Sequence, residues 1–235
     1  MTTAKNTAIL EGVRIIDLTS VVFGPLATQM LGDLGADVIK VEAPEGDLLR
    51  QVQPSNNKLM GAAFLGANRN KRSVVLDLKE RTGQDQLRKL LKDADVMISS
   101  IRPAALARLS LDPETLRRAY PDLITVSATG FGQDGPYAAK PAFDDIVQSV
   151  SGFASLATLR DPDAAPAYAP TILADKLDGV SVGRTYGCGH IRRHAAEFWL
   201  LTDAGAPPPP GSDDRRLHHD FTLHQRTVGQ VLPGG

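Results

Sequence analysis

The chain has 235 residues, of which 42% are hydrophobic and 23% charged, so it is long enough for one domain with a substantial core. Its formal net charge of −1 provides no global field that would attract nucleic acid or an anionic membrane. No apolar run approaches the roughly 20 residues that span a bilayer, and residues 1–6 carry no apolar core of a signal peptide. The single cysteine, Cys188, excludes an internal disulfide framework and a cysteine-based zinc cluster. We therefore expect a cytoplasmic protein.

Short β-branched runs alternate with amphipathic segments along the first part of the chain. Residues 13–18 form the first such run, and the apolar positions within 26–34 then recur at helical spacing. The same alternation predicts further strands at 37–42, 73–78, 95–99 and 123–127, and helices at 81–92, 103–109 and 113–120. Strands that alternate with helices are typical of an α/β fold with a doubly wound, mainly parallel sheet.

Ligands bind to such sheets in the crevice beyond the carboxyl ends of the strands. The segments that follow Leu18, Leu78, Ser99 and Ala128 each leave a predicted strand at that end. We therefore expect the functional site to be built from these segments.

The composition of the chain changes at about residue 182. All five histidines, Cys188 and Trp199 lie beyond this point, no lysine follows Lys176, and residues 207–210 are four consecutive prolines. The tail shows neither helical nor strand periodicity, which predicts a disordered extension or a stretch read in a shifted frame of a GC-rich gene. Residues 1–182 are therefore predicted to form the α/β domain, and 183–235 a separate tail.

A series of local motifs occurs in one order along the predicted domain. The motifs occupy residues 10–19, 24–25, 34–42, 68–73, 76–79, 94–96, 102–103, 130–137 and 174–175. In this order they strongly resemble the family III CoA-transferases, a group that includes formyl-CoA and carnitine CoA-transferases and the α-methylacyl-CoA racemases. The resemblance covers residues 8–182 and implies a Rossmann-like large domain. Known members of the family are longer, with a second, small domain, and they form interlocked homodimers; we expect residues 1–235 to lack that small domain.

The resemblance places Asp175 at the family's nucleophile position. It implies that the carboxylate attacks an acyl-CoA thioester, that an aspartyl-CoA thioester forms, and that an acceptor carboxylate resolves it. Covalent catalysis of this kind divides one difficult exchange into easier steps. A position near a helix N-terminus would help to keep the carboxylate charged. The alternative is that Asp175 only caps a helix that begins at Lys176.

A CoA site requires cations for the phosphates together with apolar surface for the adenine ring. The resemblance implies CoA contacts at Val22, Phe23, Leu76, Asp77, Lys79, Ser100, Ile101, Arg102, Arg108, Thr129, Gly130 and Gly132. Coenzyme A would then be a co-substrate, with no further cofactor and no metal. The expected partners are an acyl-CoA and a carboxylic acid acceptor.

Other patterns allow competing interpretations. The glycines at 130, 132 and 135 match a dinucleotide fingerprint, but Pro136 follows where a helix would be needed, which disfavours an NAD-dependent oxidoreductase. This stretch is instead interpreted as a loop whose N–H groups stabilise an oxyanion, or as an ordinary turn. His190 and His194 have helical spacing but lack the adjacent glutamate of zinc peptidases. Asp144 and Asp145 are adjacent and predicted to point apart, so that one of them is a cap or is solvated.

Two further functions remain open. A racemase would require a histidine that the resembling racemases carry at the position of Phe143, and phenylalanine cannot transfer a proton. A truncated product would lack activity and at most bind CoA. Transfer of coenzyme A between carboxylic acids is the function that the residues favour.

Overall fold

A computed structural model describes residues 8–181, apart from 53, 56, 134 and 160, together with the backbone of Phe221–Thr222. The described strands form one parallel sheet in the order β3-β2-β1-β4-β5-β6. They are β1 (Arg14–Leu18), β2 (Asp37–Glu42), β3 (Lys71–Val75), β4 (Val96–Ser99), β5 (Ile124–Ser127) and β6 (Phe221–Thr222). The predicted α/β fold with a doubly wound parallel sheet is therefore confirmed.

Helices connect the strands, as parallel pairing requires. They are α1 (Phe23–Asp33), α2 (Ala62–Asn68), α3 (Arg81–Leu91), α4 (Pro103–Arg108), α5 (Pro113–Ala119) and α6 (Asp144–Val150), followed by α7 at residues 173–181. Two 3₁₀ segments, Leu48–Arg50 and Phe153–Leu159, complete the described helical structure.

The central strands are buried on both faces because helices cover the two sides of the sheet. Alternate residues of a strand face opposite sides, so Ile16 packs in one core cluster and Ile15 in the other. The same division separates Met97 from Ile98 on β4. The carboxyl ends of these strands are thereby fixed in a rigid frame.

The third strand differs from its predicted position. We predicted residues 73–78, whereas β3 covers Lys71–Val75 and pairs with β2 from Val38↔Lys71 to Glu42↔Val75. β3 lies at the edge of the sheet, where most of its side chains are exposed and polar residues are accepted. The apolar stretch that follows it packs against the core from a turn, which explains why a search for hydrophobic runs placed the strand too late.

The predicted tail lies outside the described residues, except for the two residues of β6. These pair with β5 at Val126↔Phe221 and Ser127↔Thr222. The expectations of a disordered or frame-shifted tail, and the histidine pair at 190 and 194, concern residues outside the described part of the chain.

Candidate active site

A cleft of about 430 Å³ opens beyond the carboxyl end of β1. Its walls come from the β1–α1 loop, the 3₁₀ turn after β2, α2, the start of α6 and the segment that leads into α7. The lining residues are Val21, Val22, Leu49, Ala63, Phe143, Asp144, Asp145, Ile172 and Asp175. The cleft is therefore apolar along most of its walls, with carboxylates contributed by α6 and α7.

Asp175 lies half-buried at this cleft. Helix α7 begins at residue 173, so Asp175 belongs to its first turn, and the alternative of a cap before a helix starting at Lys176 does not hold. Burial and the negative charges of Asp144 and Asp178 raise the pKa of the Asp175 carboxyl to about 6. The expected effect of the helix N-terminus is thus outweighed, although the side chain is still mainly ionised at neutral pH.

Asp144 is a hydrogen-bonding partner of Asp175. The backbone N–H of Asp175 donates a hydrogen bond of 3.1 Å to Oδ1 of Asp144, which is the first residue of α6. Asp145 is exposed to solvent, as predicted for one member of the Asp144–Asp145 pair, and both residues also line the cleft. The N-cap of α6 is Phe143, which leaves Asp144 free to accept the bond from α7.

The part of the cleft wall formed by the β1–α1 loop contains a strained backbone. Val21 has φ of 68°, a left-handed conformation that is a true outlier for a β-branched residue and costs on the order of 1–3 kcal/mol. Its N–H donates to Oδ1 of Asp47 at 3.3 Å, and the same oxygen accepts the N–H of Leu49 at 2.9 Å. Asp47 therefore joins two segments that line the cleft.

Buried polar contacts of Lys40 hold the side chain of Asp47 in place. Lys40 Nζ lies 3.0 Å from Asp47 Oδ2, and both side chains are only 1% exposed. Asp47 Oδ2 accepts no hydrogen bond from the described residues, so the attraction between the two opposite charges holds the pair together. Lys40 also donates to the carbonyl of Thr19 at 2.8 Å. Lys40 and Asp47 together hold the β1–α1 loop at the carbonyl of Thr19 and at the N–H of Val21.

Glu42 extends the network towards the surface. Two contacts of 2.6 Å join its carboxylate to the Arg50 guanidinium, and Ser73 and the N–H of Asp47 donate to it as well. Burial acts against ionisation, but these hydrogen bonds lower the pKa of Glu42 to about 2. Arg50 in turn stacks over Phe64 of α2 at 3.8 Å. The network thus connects β2 to the helix that carries Ala63.

Several residues that the resemblance assigns to CoA lie at this edge of the sheet. Val22 is the N-cap of α1 and lines the cleft, and Phe23 begins the helix. The hydroxyl of Ser100 accepts the N–H of Ser20 at 3.1 Å, which joins the ends of β1 and β4. The N–H of Ile101 donates to the Ser99 hydroxyl. The prediction that these strand ends come together is confirmed.

The basic residues of the predicted CoA site are accessible to solvent. Arg102 is the N-cap of α4 and Arg108 lies in its last turn, and both are exposed. Lys79 is exposed too, in a turn where its N–H donates to Asp77 Oδ1 at 2.9 Å. Leu76 is buried in the core, so its side chain does not face the cleft. None of these four residues, nor Asp77, lines the cleft itself.

The glycine-rich loop follows β5. Thr129 donates to the carbonyl of Phe131, whose ring meets Tyr137 edge-on at 5.5 Å. Gly130 has its Cα so close to Ala142 that an added Cβ would lie 2.3 Å from the alanine methyl. The next helix along the described chain, α6, begins only at Asp144, so neither Gly130 nor Gly132 opens a helix as a dinucleotide site requires.

Sequence reasoning missed part of the cleft. Val21, Leu49, Ala63 and Ile172 come from separate loops and helices and carry no chemical signature of their own. The adjacent acids at 144 and 145 were visible, but the partner of Asp144 lies 31 residues further along the chain. No short-range pattern would have revealed that contact.

The chain is similar in sequence to proteins of known activity. A model described as CoA-transferase family III matches residues 10–185. The chain belongs to this family. In Agrobacterium fabrum, a "Succinate--glutarate CoA-transferase" is 46% identical over 178 residues, which are 73% of this chain and 44% of that protein. The mouse "Succinyl-CoA:glutarate CoA-transferase" is 39% identical over 195 residues, covering 83% of this chain and 44% of that protein.

Solved structures of the family share the fold. A CAIB/BAIF family protein from Brucella suis has a TM-score of 0.74 and 35% sequence identity, and the match covers 82% of this chain and 51% of that one. The chain of this family III member thus spans about 44% of the length of the two curated relatives named above. Its described helices include none with the length and hydropathy needed to cross a membrane. Nor do the described residues bring together three or more His, Cys, Asp or Glu side chains that could hold a metal ion.

Proposed function

We propose that the chain transfers coenzyme A between carboxylic acids through a covalent intermediate on Asp175. The observation that carries this proposal is the half-buried carboxylate of Asp175 at an apolar cleft, in a member of CoA-transferase family III. A carboxylate that is partly removed from water and still ionised at neutral pH is a better nucleophile than a fully hydrated one.

The proposed exchange conserves charge and atoms. An oxygen of Asp175 attacks the thioester carbonyl, a C–O bond forms, the C–S bond breaks, and CoA leaves as a thiolate. The thiolate then attacks the Asp175 carbonyl of this mixed anhydride, which releases the donor acid as a carboxylate and leaves an aspartyl-CoA thioester. An acceptor carboxylate attacks that thioester, and the thiolate finally attacks the acceptor carbonyl, which restores Asp175.

The apolar walls of the cleft support the same proposal. Val22, Phe143 and Ile172 would exclude water from the anhydride, which hydrolysis would otherwise consume. Residues 8–181 contain no histidine, so the described part of the chain supplies no imidazole for the proton transfer of a racemase. Exchange between carboxylates needs no proton transfer at carbon, which favours it over racemisation.

For the substrates, we infer an acyl-CoA and an acceptor that are both derived from dicarboxylic acids. The relatives at 46% and 39% identity are named for transfer involving succinate and glutarate. Succinyl-CoA and glutarate are therefore the first pair to test.

The test is to trap the covalent intermediate on the full chain. Succinyl-CoA is added at pH 7.5, the mixture is treated with hydroxylamine, and mass spectrometry locates the resulting hydroxamate. We expect it on Asp175 and expect Asp175→Ala to abolish it. Asp178→Asn is the matched control, since Asp178 lies one turn along α7 and burial raises its pKa too.

Two outcomes would contradict the proposal. An adduct that survives in Asp175→Ala would place the nucleophile elsewhere. A chain that forms no adduct, but whose melting temperature rises when CoA is added, would be a CoA-binding protein without transfer activity.

A further inference from the structure

Gln148 is a buried amide that the proposed chemistry does not use. It lies on α6, is only 3% exposed and does not line the cleft. Its Oε1 accepts the N–H of Ala169 at 2.8 Å, and its Nε2 donates to the carbonyl of Thr171 at 3.4 Å. One side chain thus holds the segment that leads directly into α7.

The Gln148 amide also binds Asp144, which accepts a hydrogen bond from the backbone of Asp175. Nε2 of Gln148 donates to Oδ2 of Asp144, while Oδ1 of Asp144 accepts the N–H of Asp175. Both oxygens of Asp144 are therefore occupied, one by α6 and one by α7. A continuous series of hydrogen bonds runs from the loop at 169–171 through Gln148 and Asp144 to the backbone of Asp175.

Only an amide of this length satisfies all of these contacts. Glutamine offers a donor and an acceptor at the end of two methylenes. Ionised glutamate could accept from Ala169 but could not donate to Asp144, and methionine could do neither. Because the Gln148 side chain is buried, loss of its amide removes these hydrogen bonds at a place that water does not readily fill, and the segment before α7 would have to rearrange.

We propose that Gln148 is a positioning residue that holds Asp175 in the orientation needed to attack a thioester. The inference rests on the proposed role of Asp175 as nucleophile. Gln148 acts through Asp144 and through the 169–171 segment, and it makes no contact with the bound substrate. A small displacement of a reacting group lowers the rate of its reaction far more than it lowers ligand affinity.

The first experiment separates rate from affinity. Hydroxylamine trapping on the full chain is followed in single turnover at increasing succinyl-CoA concentrations. We expect Gln148→Met to lower the maximal rate of labelling at Asp175 by about 100-fold, the loss that a displacement near 1 Å produces. The concentration giving half-maximal rate should not change, because Gln148 is absent from the cleft lining. Gln148→Glu should be similarly slow.

Gln29→Met is the matched control. Gln29 is also buried, at 2% exposure, and its Nε2 donates to an aspartate one turn away, Asp33 on α1. This variant loses a buried amide and a helix hydrogen bond of the same kind, without any connection to Asp175. We expect its labelling rate to equal that of the parent chain.

A second readout needs no substrate. In protein with ¹³C-labelled aspartate, the Asp175 carboxyl signal, assigned with Asp175→Asn, is titrated in the absence of CoA. In Gln148→Met we expect the pKa of Asp175 to fall towards its ordinary value, since a loosened segment admits water, and in Gln29→Met we expect no change.

If the parent forms no adduct, the proposed function fails and this titration still decides the role of Gln148. Equal titrations in the Gln148→Met variant and the parent, or equal labelling rates in the two methionine variants, would overturn the positioning role.

Discussion

Asp144 and Asp175 form one hydrogen-bonded unit across two helices, with the N–H of Asp175 3.1 Å from Oδ1 of Asp144. The bond fixes the start of α7 and at the same time brings a second negative charge close to the carboxyl of Asp175. The contact therefore has two opposite effects on Asp175 in its proposed role as nucleophile, since it orders the residue while it disfavours ionisation of the carboxyl.

The first prediction concerns the pH dependence of labelling at Asp175. Since burial and neighbouring acids raise its pKa to about 6, the labelling rate should rise with pH and level off above that value. Asp144→Asn keeps an oxygen that accepts the N–H of Asp175 but removes the charge and the acceptor of Gln148 Nε2. Both changes should move the midpoint to lower pH. Rates measured between pH 4.5 and 8, a range chosen to bracket this pKa, test the shift. Asp145→Asn is the control, because Asp145 lines the cleft but is not among the causes of the raised pKa; an equal shift in both variants would refute the specific contact.

The second prediction concerns folding stability. An acid whose pKa is raised on folding binds more protons in the folded state between pH 3.8 and about 6, so its contribution to stability is lost as pH rises through this window. Asp175→Asn removes that loss. We expect the variant to be more stable than the parent at pH 7 by about 1 kcal/mol, a value reduced because the side chain is half exposed. At pH 3.5 the advantage should vanish, and urea unfolding at both pH values measures it.

The third prediction concerns the turn that carries Asp77 and Lys79. An added Cβ at Gly83 of α3 would lie 2.0 Å from the carbonyl oxygen of Asp77. Gly83→Ala should therefore push the turn away from the helix and lower the free energy of unfolding by about 1–3 kcal/mol. Gly66→Ala is the matched control, since Gly66 is also helical and has nothing within 4 Å of an added Cβ. The free energy of unfolding of Gly66→Ala should rise by about 0.5–1 kcal/mol, because alanine has a higher helix propensity than glycine.

Chemical denaturation of both alanine variants decides the third prediction. A Gly83→Ala chain as stable as Gly66→Ala would show that the turn yields without cost. If CoA binding depends on the turn, titration with CoA should also show weaker binding in Gly83→Ala than in Gly66→Ala.

The sheet could be predicted from sequence because its strands are buried on both faces. Residues 37–42 were predicted as a strand, and β2 has those bounds, because Val38, Ile39 and Val41 supply the β-branched residues typical of a buried strand. The same reasoning failed for β3, whose polar residues at 71–73 belong to an edge strand. Helices α2 and α6 were not predicted, whereas the equally short α4 and α5 were, because each of the latter two begins at a proline that marks a helix start.

Residues of the candidate site could be predicted only where they lie in a recognisable sequence motif or at the end of a predicted strand. Asp175 was found through its neighbours in sequence, and the ends of β1 and β4 through the topology of the sheet. The contacts of Asp175 with Asp144, and of Asp144 with Gln148, depend on how α6 packs against α7. Such pairings are decided by tertiary packing, and local sequence patterns do not encode them.

At Val21 the chain accepts a loss of folding stability in order to keep a branched side chain in the wall of the cleft. Glycine would adopt the left-handed turn at no cost, yet a branched side chain occupies it and forms part of the wall that faces Asp175. The buried ion pair of Lys40 and Asp47 keeps the turn closed beneath it. Replacement by glycine would yield a more stable chain with a gap in the wall of the cleft, so efforts to engineer heat resistance should leave this position unaltered.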